Sequence, residues 1–164
     1  MGIRTVRTEG DECLRKVCKP VKSVSLRTRI LIEDMFDTMY ESGGVGLAAP
    51  QIGVLKRIVV MDTDDNQHVL INPQILEVSG EQTGYEGCLS IPGKSGIVTR
   101  PDYVKVKALN ERGEEYVLEG EGLLARCICH ECDHLDGILY SDKAEGGLIN
   151  NEDLPEDEEE ELYE

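Results

Sequence analysis

Residues 130–134 read His-Glu-Cys-Asp-His, an HExxH spacing. They close an eight-residue run, 127–134, that holds three cysteines and two of the chain's three histidines. A helix is the structure that gives this spacing a purpose. Side chains four residues apart stand one above the other on a helix face, so both imidazoles can reach one ion. The stretch from 122 to 135 is therefore predicted to be helical. Glu131 lies one residue round from His130, close enough to touch a water on that ion. Leu123 and Cys127 share the histidine face, which sets the ion against the core.

A catalytic ion of this kind wants three protein ligands and one open position, so the rest of the chain must supply a third. The long protease form, HExxHxxGxxH, fails here. Gly137 is in place, but Tyr140 stands where the third histidine belongs, and no histidine follows His134. A downstream glutamate would have to be Glu152 or Glu156, both in an acidic stretch with little to hold a ligand rigid. A zinc knot from Cys127, Cys129, Cys132 and His130 would need ligands that diverge around one helix to converge. Small buried apolar residues are the better reading of those cysteines. Cys13 and Cys18, in a polar N-terminal stretch, read as partly buried thiols. Cys88, in Glu-Gly-Cys-Leu-Ser, is the strongest of the upstream candidates.

The remaining pattern describes one α+β domain. Leu31, Ile32, Met35, Phe36 and Met39 recur at helical spacing across 26–40, ended by Ser42, Gly43 and Gly44. Residues 57–62 and 68–73 read as strands joined by a polar turn. So do 105–109 and 115–120, around Asn110–Gly113. The expected architecture is a single domain, 1–150, with an N-terminal helix and antiparallel or mixed sheets packed around the C-terminal HExxH helix. From Asn151 the chain becomes a like-charge block, 151–164, expected to be disordered. The N-terminus shows no secretion signal and no apolar run is long enough for a membrane helix, so a cytoplasmic location is expected. Thiols there stay reduced, which favours metal binding or burial over disulfides. The net charge of −16 argues against strong binding to nucleic acid or anionic lipid.

Three segments stand in order: Gly-Val-Gly-Leu-Ala-Ala-Pro-Gln at 44–51, Glu-Gly-Cys-Leu-Ser at 86–90 and His-Glu-Cys-Asp-His at 130–134. Together they resemble the three motifs of the peptide deformylases. The likeness extends from the N-terminal Asp-Glu-Cys-Leu-Arg-Lys to about Asp142. The first motif also fits a dinucleotide-loop pattern, but it follows a helix and leads toward a strand, the reverse of what that loop needs.

The resemblance implies a metal-dependent hydrolase that removes the formyl group from the N-terminal methionine of newly made proteins. It implies Cys88, His130 and His134 as ligands of one divalent metal, Fe(II) foremost, with Zn(II), Ni(II) or Co(II) as substitutes. Glu131 would be the acid–base residue. The Gln51 side-chain amide and the Leu89 main-chain N–H would face the developing oxyanion. Gly46 and Gly87 would let an extended peptide approach, and Val45, Leu123 and Cys127 would line the methionine pocket with the His130 ring. Arg126 is expected either to rim that pocket or to be a solvated helix residue, and Asp133 to pair with Arg100. N-formylmethionyl nascent peptides are the implied partners, with transient ribosome contact. Two departures stand out: Cys129 occupies a position where many members have Gln, and the region after the metal motif is short and acidic rather than a long helix.

Overall fold

The computed structural model describes residues 2–155 of the chain. The first helix, α1 (Leu26–Glu41), starts where the sequence offers a reciprocal cap. The Ser25 hydroxyl accepts the Thr28 N–H at 3.2 Å, and the Thr28 hydroxyl accepts the Ser25 N–H at 3.3 Å. Its buried stripe is Leu31, Ile32, Met35 and Met39. Gly43, with φ of 75°, turns the chain out of the helix toward the first strand.

Five strands form the first sheet: β1 (Gly46–Ala48), β2 (Ile58–Thr63), β3 (Asn66–Ser79), β6 (Tyr103–Leu109) and β7 (Glu115–Glu121). They lie in the order β1-β2-β3-β6-β7, all antiparallel. Asp64 and Asp65 make the β2–β3 turn, both with positive φ, the conformation a two-residue hairpin requires. Alternate residues of β2 serve opposite sides. Ile58 and Val60 join the α1 stripe, whereas Val59 and Met61 pack toward the second helix, α2 (Gly122–Leu135). The sheet is thus covered on both faces, which explains the unbroken apolar run at 58–61. Each large side chain buried there contributes roughly 1.5–3 kcal/mol.

A second, three-stranded sheet has the order β4-β5-β8, from β4 (Gln82–Cys88), β5 (Ile91–Arg100) and β8 (Glu145–Asn150). None of these strands was expected from the sequence. Gly84, Gly87, Gly93 and Gly96 interrupt the alternation of β4 and β5, and the two join through Leu89 and Ser90, which carry no glycine signal for a tight turn. Gly96 has a packing reason to be there, since a Cβ would come within 2.8 Å of the Ala144 Cβ.

Two residues past the end of α2 the chain turns at Gly137, with φ of 75°. A side chain at Gly137 would also meet the Arg15 carbonyl oxygen at 2.5 Å, so this position excludes any other residue on two grounds. The expectation of a disordered segment from Asn151 needs correction for its first residues. Asn151–Asp153 form a 3-10 turn and Leu154 is buried. Lys94 donates to Asn150, and Ser95 pairs with Asn151, fastening this turn to β5. The tail beyond 155 lies outside the described residues.

Candidate metal centre

Helix α2 has its face of small and apolar residues against the first sheet, with Ala125, Ile128 and Leu135 fully buried. That packing fixes His130 and His134 one turn apart, both buried, with ring centroids 5.2 Å from each other. Cys88 arrives from the other layer as the last residue of β4. One ligand atom from each of Cys88, His130 and His134 lies within 4.8 Å of the others, the only such group among the described residues. The Cys88 Sγ stands 3.4 Å from the His134 Nε2. A soft sulfur and two imidazole nitrogens converging in a dry setting suit a divalent transition metal. The donor set therefore fits the metal that the fold implies.

Each donor is held from behind. The His130 Nδ1 meets the Glu86 Oε1 at 2.8 Å, which fixes the ring and leaves its Nε2 for the centre. Tyr140 stacks on the same ring, with centroids 5.9 Å apart. Glu86 is wholly buried, and burial alone would raise its pKa. The His130 and Arg100 bonds overcome that and hold its carboxyl below the usual range. Arg100 donates to both Glu86 oxygens, at 2.9 and 3.0 Å, and to the Asp133 Oδ2 at 2.7 Å. Burial lowers the proton affinity of both rings. That of His134 stays well below its ordinary value, whereas bonds to Cys88 and Glu86 raise that of His130.

Two further groups complete the site. Gln51 sits on the 3-10 turn Ala49–Ile52 that follows β1. Its Oε1 accepts the Ala48 N–H at 2.9 Å, which orients the amide. Its Nε2 then points at the Cys88 Sγ at 3.5 Å and the Ser90 Oγ at 3.1 Å. Glu131 is 1% exposed and close enough to His130 for their charges to interact. This is an arrangement for hydrolysis: a metal cradle, a buried carboxyl group beside it and an amide donor aimed into it.

Residues 3–147 match the model of the polypeptide deformylases. The chain belongs to this family. It is 59% identical over 158 residues to the peptide deformylase of Agathobacter rectalis, covering 95% of this chain and 100% of that one. It is 55% identical over 163 residues to that of Lachnoclostridium phytofermentans, covering 98% and 100%. The fold matches crystal structures of the deformylases from Legionella pneumophila (TM-score 0.84, 47% identity, 88% and 87% of the two chains) and Thermotoga maritima (0.86, 42%, 88% and 99%). As a peptide deformylase, the chain is a hydrolase that removes the formyl group from the N-terminal methionine of newly made proteins.

Cys127 is fully buried and its Sγ faces the Val45 carbonyl at 4.0 Å, while Leu123 is 42% exposed at the open end of the same helix face. Gly46 opens β1 and Gly87 lies in β4, each strand being hydrogen-bonded on one side only. Leu89 is the first residue past the last β4–β5 pair, at the hairpin turn. The Asp133–Arg100 pair forms as expected. Cys129 and Cys132 belong to the core, and burial pushes the Cys129 thiol up to about 11. A short strand and a 3-10 turn, not an α-helix, follow the glycines of 44–46, so a dinucleotide loop is not formed there. Arg126 is 6% exposed and bonded to Glu86, so it is not a solvated helix residue.

Sequence reasoning assigned no role to Glu86, Ser90 or Tyr140. Glu86 had only its place in the motif with Cys88, because the strand that carries both was not expected and a register shift separates them. Tyr140 had no signal, because its stacking on His130 depends on the path of the chain after α2.

Proposed function

We propose that Cys88, His130 and His134 hold one Fe(II) ion, that Glu131 moves the protons, and that Gln51 and Leu89 stabilise the oxyanion of deformylation. The observation that carries this reading is the convergence of one thiol and two imidazoles beside a buried glutamate, with all three ligand atoms within 4.8 Å. The divalent ion, when bound, supplies the Lewis acidity that makes a water molecule acidic near neutral pH. Glu131 takes the proton from that water as it attacks the formyl carbon. The Gln51 Nε2–H and the Leu89 N–H donate to the formyl oxygen as its charge grows. Glu131 then passes the proton to the departing amine, leaving formate and a free N-terminal methionine.

The peptide enters as an added strand between the open edges of β1 and β4, where Gly46 and Gly87 keep side chains out of its way. Its methionine side chain enters the pocket of Val45, Leu123 and Cys127 against the His130 ring. Zinc, nickel or cobalt satisfy the same donors as substitutes. The enzyme works in the cytoplasm on nascent chains, with transient contact at the ribosome. No described helix is long and apolar enough to cross a membrane.

Cys88→Ala tests the ligand set. The variant is expected to lose its stoichiometric metal and to release formate at less than about one-hundredth of the wild-type rate, since outer partners alone govern 10–100-fold effects and a direct ligand governs more. Metal content by mass spectrometry and formate release on the same anaerobic preparation decide the matter. A Cys88→Ala protein that keeps one tightly held ion per chain would place the third ligand elsewhere.

A further inference from the structure

We infer that Arg126 is a positioning residue for the metal centre, gripping Glu86 so that Glu86 in turn fixes the His130 ring. The inference rests on the ligand set proposed above. Arg126 and His130 are four residues apart on α2, so they project from one face. Each takes one oxygen of the same carboxylate. The Arg126 Nη1 donates to the Glu86 Oε2 at 2.7 Å, and the His130 Nδ1 meets the Glu86 Oε1 at 2.8 Å. The helix therefore grips a group on β4, two residues before Cys88, through two of its own turns.

The grip is part of a closed ring. Arg100, from β5, holds Glu86 on both oxygens and reaches back to Asp133 on α2. The Arg126 guanidinium also donates to the Val98 carbonyl at 3.3 Å. Gly84 makes room for it, since a Cβ at that position would lie 3.4 Å from the Arg126 Nη2. Two ligands come from the helix and one from the second sheet, and this ring joins the two layers. Arg100 already neutralises Glu86. What Arg126 adds is a bond to Oε2 from the helix side, so that both carboxylate oxygens are tied to α2, Oε2 by Arg126 and Oε1 by His130. A buried charge is costly unless it is fully bonded, and all the partners needed for that are present here.

The test compares Arg126→Met, which keeps the length of the stem, and Arg126→Lys with the wild type. Dissociation constants for Co(II) and Zn(II) are measured by chelator competition, at temperatures well below each protein's Tm. Outer partners of a ligand histidine govern affinity by 10–100-fold, so Arg126→Met is expected to bind that much more weakly. Arg126→Lys, which restores one charged donor, is expected to lie between. Cys88→Ala in the same series separates the two claims. Wild-type affinity in Cys88→Ala overturns the ligand set. Loss of metal there with Arg126→Met within two-fold of wild type overturns the role of Arg126 alone. Should Arg126→Met fail to fold, Arg126→Lys decides, and wild-type affinity in that variant overturns the inference.

Discussion

Glu131→Gln is expected to bind the metal as the wild type does and to lose kcat by about 10²–10⁴-fold, the range set by removing a general acid–base group. The amide has the shape of the carboxylate, so the packing around a side chain 1% exposed is kept. It cannot accept a proton from water or pass one to an amine. The loss falls on kcat, because Glu131 acts only as bonds change, while KM for a formylated peptide stays within a few-fold. Single-turnover formate release on protein of verified metal content checks it. Activity within a few-fold of wild type would leave Glu131 without the role assigned to it.

Arg100→Met is expected to cost about 3–5 kcal/mol of stability, the penalty for removing one partner of a buried ionic group. Its guanidinium is 2% exposed and serves Glu86 and Asp133 together. The Asp133 carboxylate keeps Lys143 at 3.0 Å, and Glu86 keeps Arg126 and His130, so the protein is expected to fold. Tm should fall by about 10 °C. The acid limb of stability should change too. Glu86 has a folded pKa below its unfolded value of 4.5, so its contribution is complete above that value and is lost as pH falls toward the folded one. Removing Arg100 shrinks the depression and should flatten that slope. Chemical denaturation at several pH values measures both effects. An unchanged Tm would show that the ring of charges contributes nothing to stability.

Much of this molecule was legible because its motifs coincide with regular elements. The α1 stripe and the HExxH helix follow from three- and four-residue spacing, and the helix brings His130 and His134 together as that spacing predicts. β2 and the first half of β3 follow from apolar runs around a polar turn. The second sheet did not. Its glycines are placed for close packing and for passage of a side chain, as at Gly96 and Gly84, and they erase the pattern that reveals a strand. Cys88 was therefore recognised from its motif while the strand that carries it was not. The burial of Arg126 was hidden for a related reason. A charged residue on a helix is usually solvated, and only the fold shows a buried carboxylate waiting for it. Residues 151–154 looked like the start of a featureless acidic run, yet Leu154 is buried and Asn151 pairs with Ser95 of β5.

The most direct measurement is hydrolysis of formyl-Met-Ala-Ser beside acetyl-Met-Ala-Ser, on anaerobically purified protein carrying one metal per chain. The Gln51 amide lies 3.5 Å from the Cys88 sulfur. With the proposed roles, a carbonyl bearing hydrogen is expected to fit there far more easily than one bearing a methyl group. The account predicts steady formate release from the first peptide, no measurable acetate from the second, and no cleavage of internal bonds in either. Equal rates on the two peptides, or cutting of an unmodified one, would contradict it and mark the site as that of a general amidase or protease.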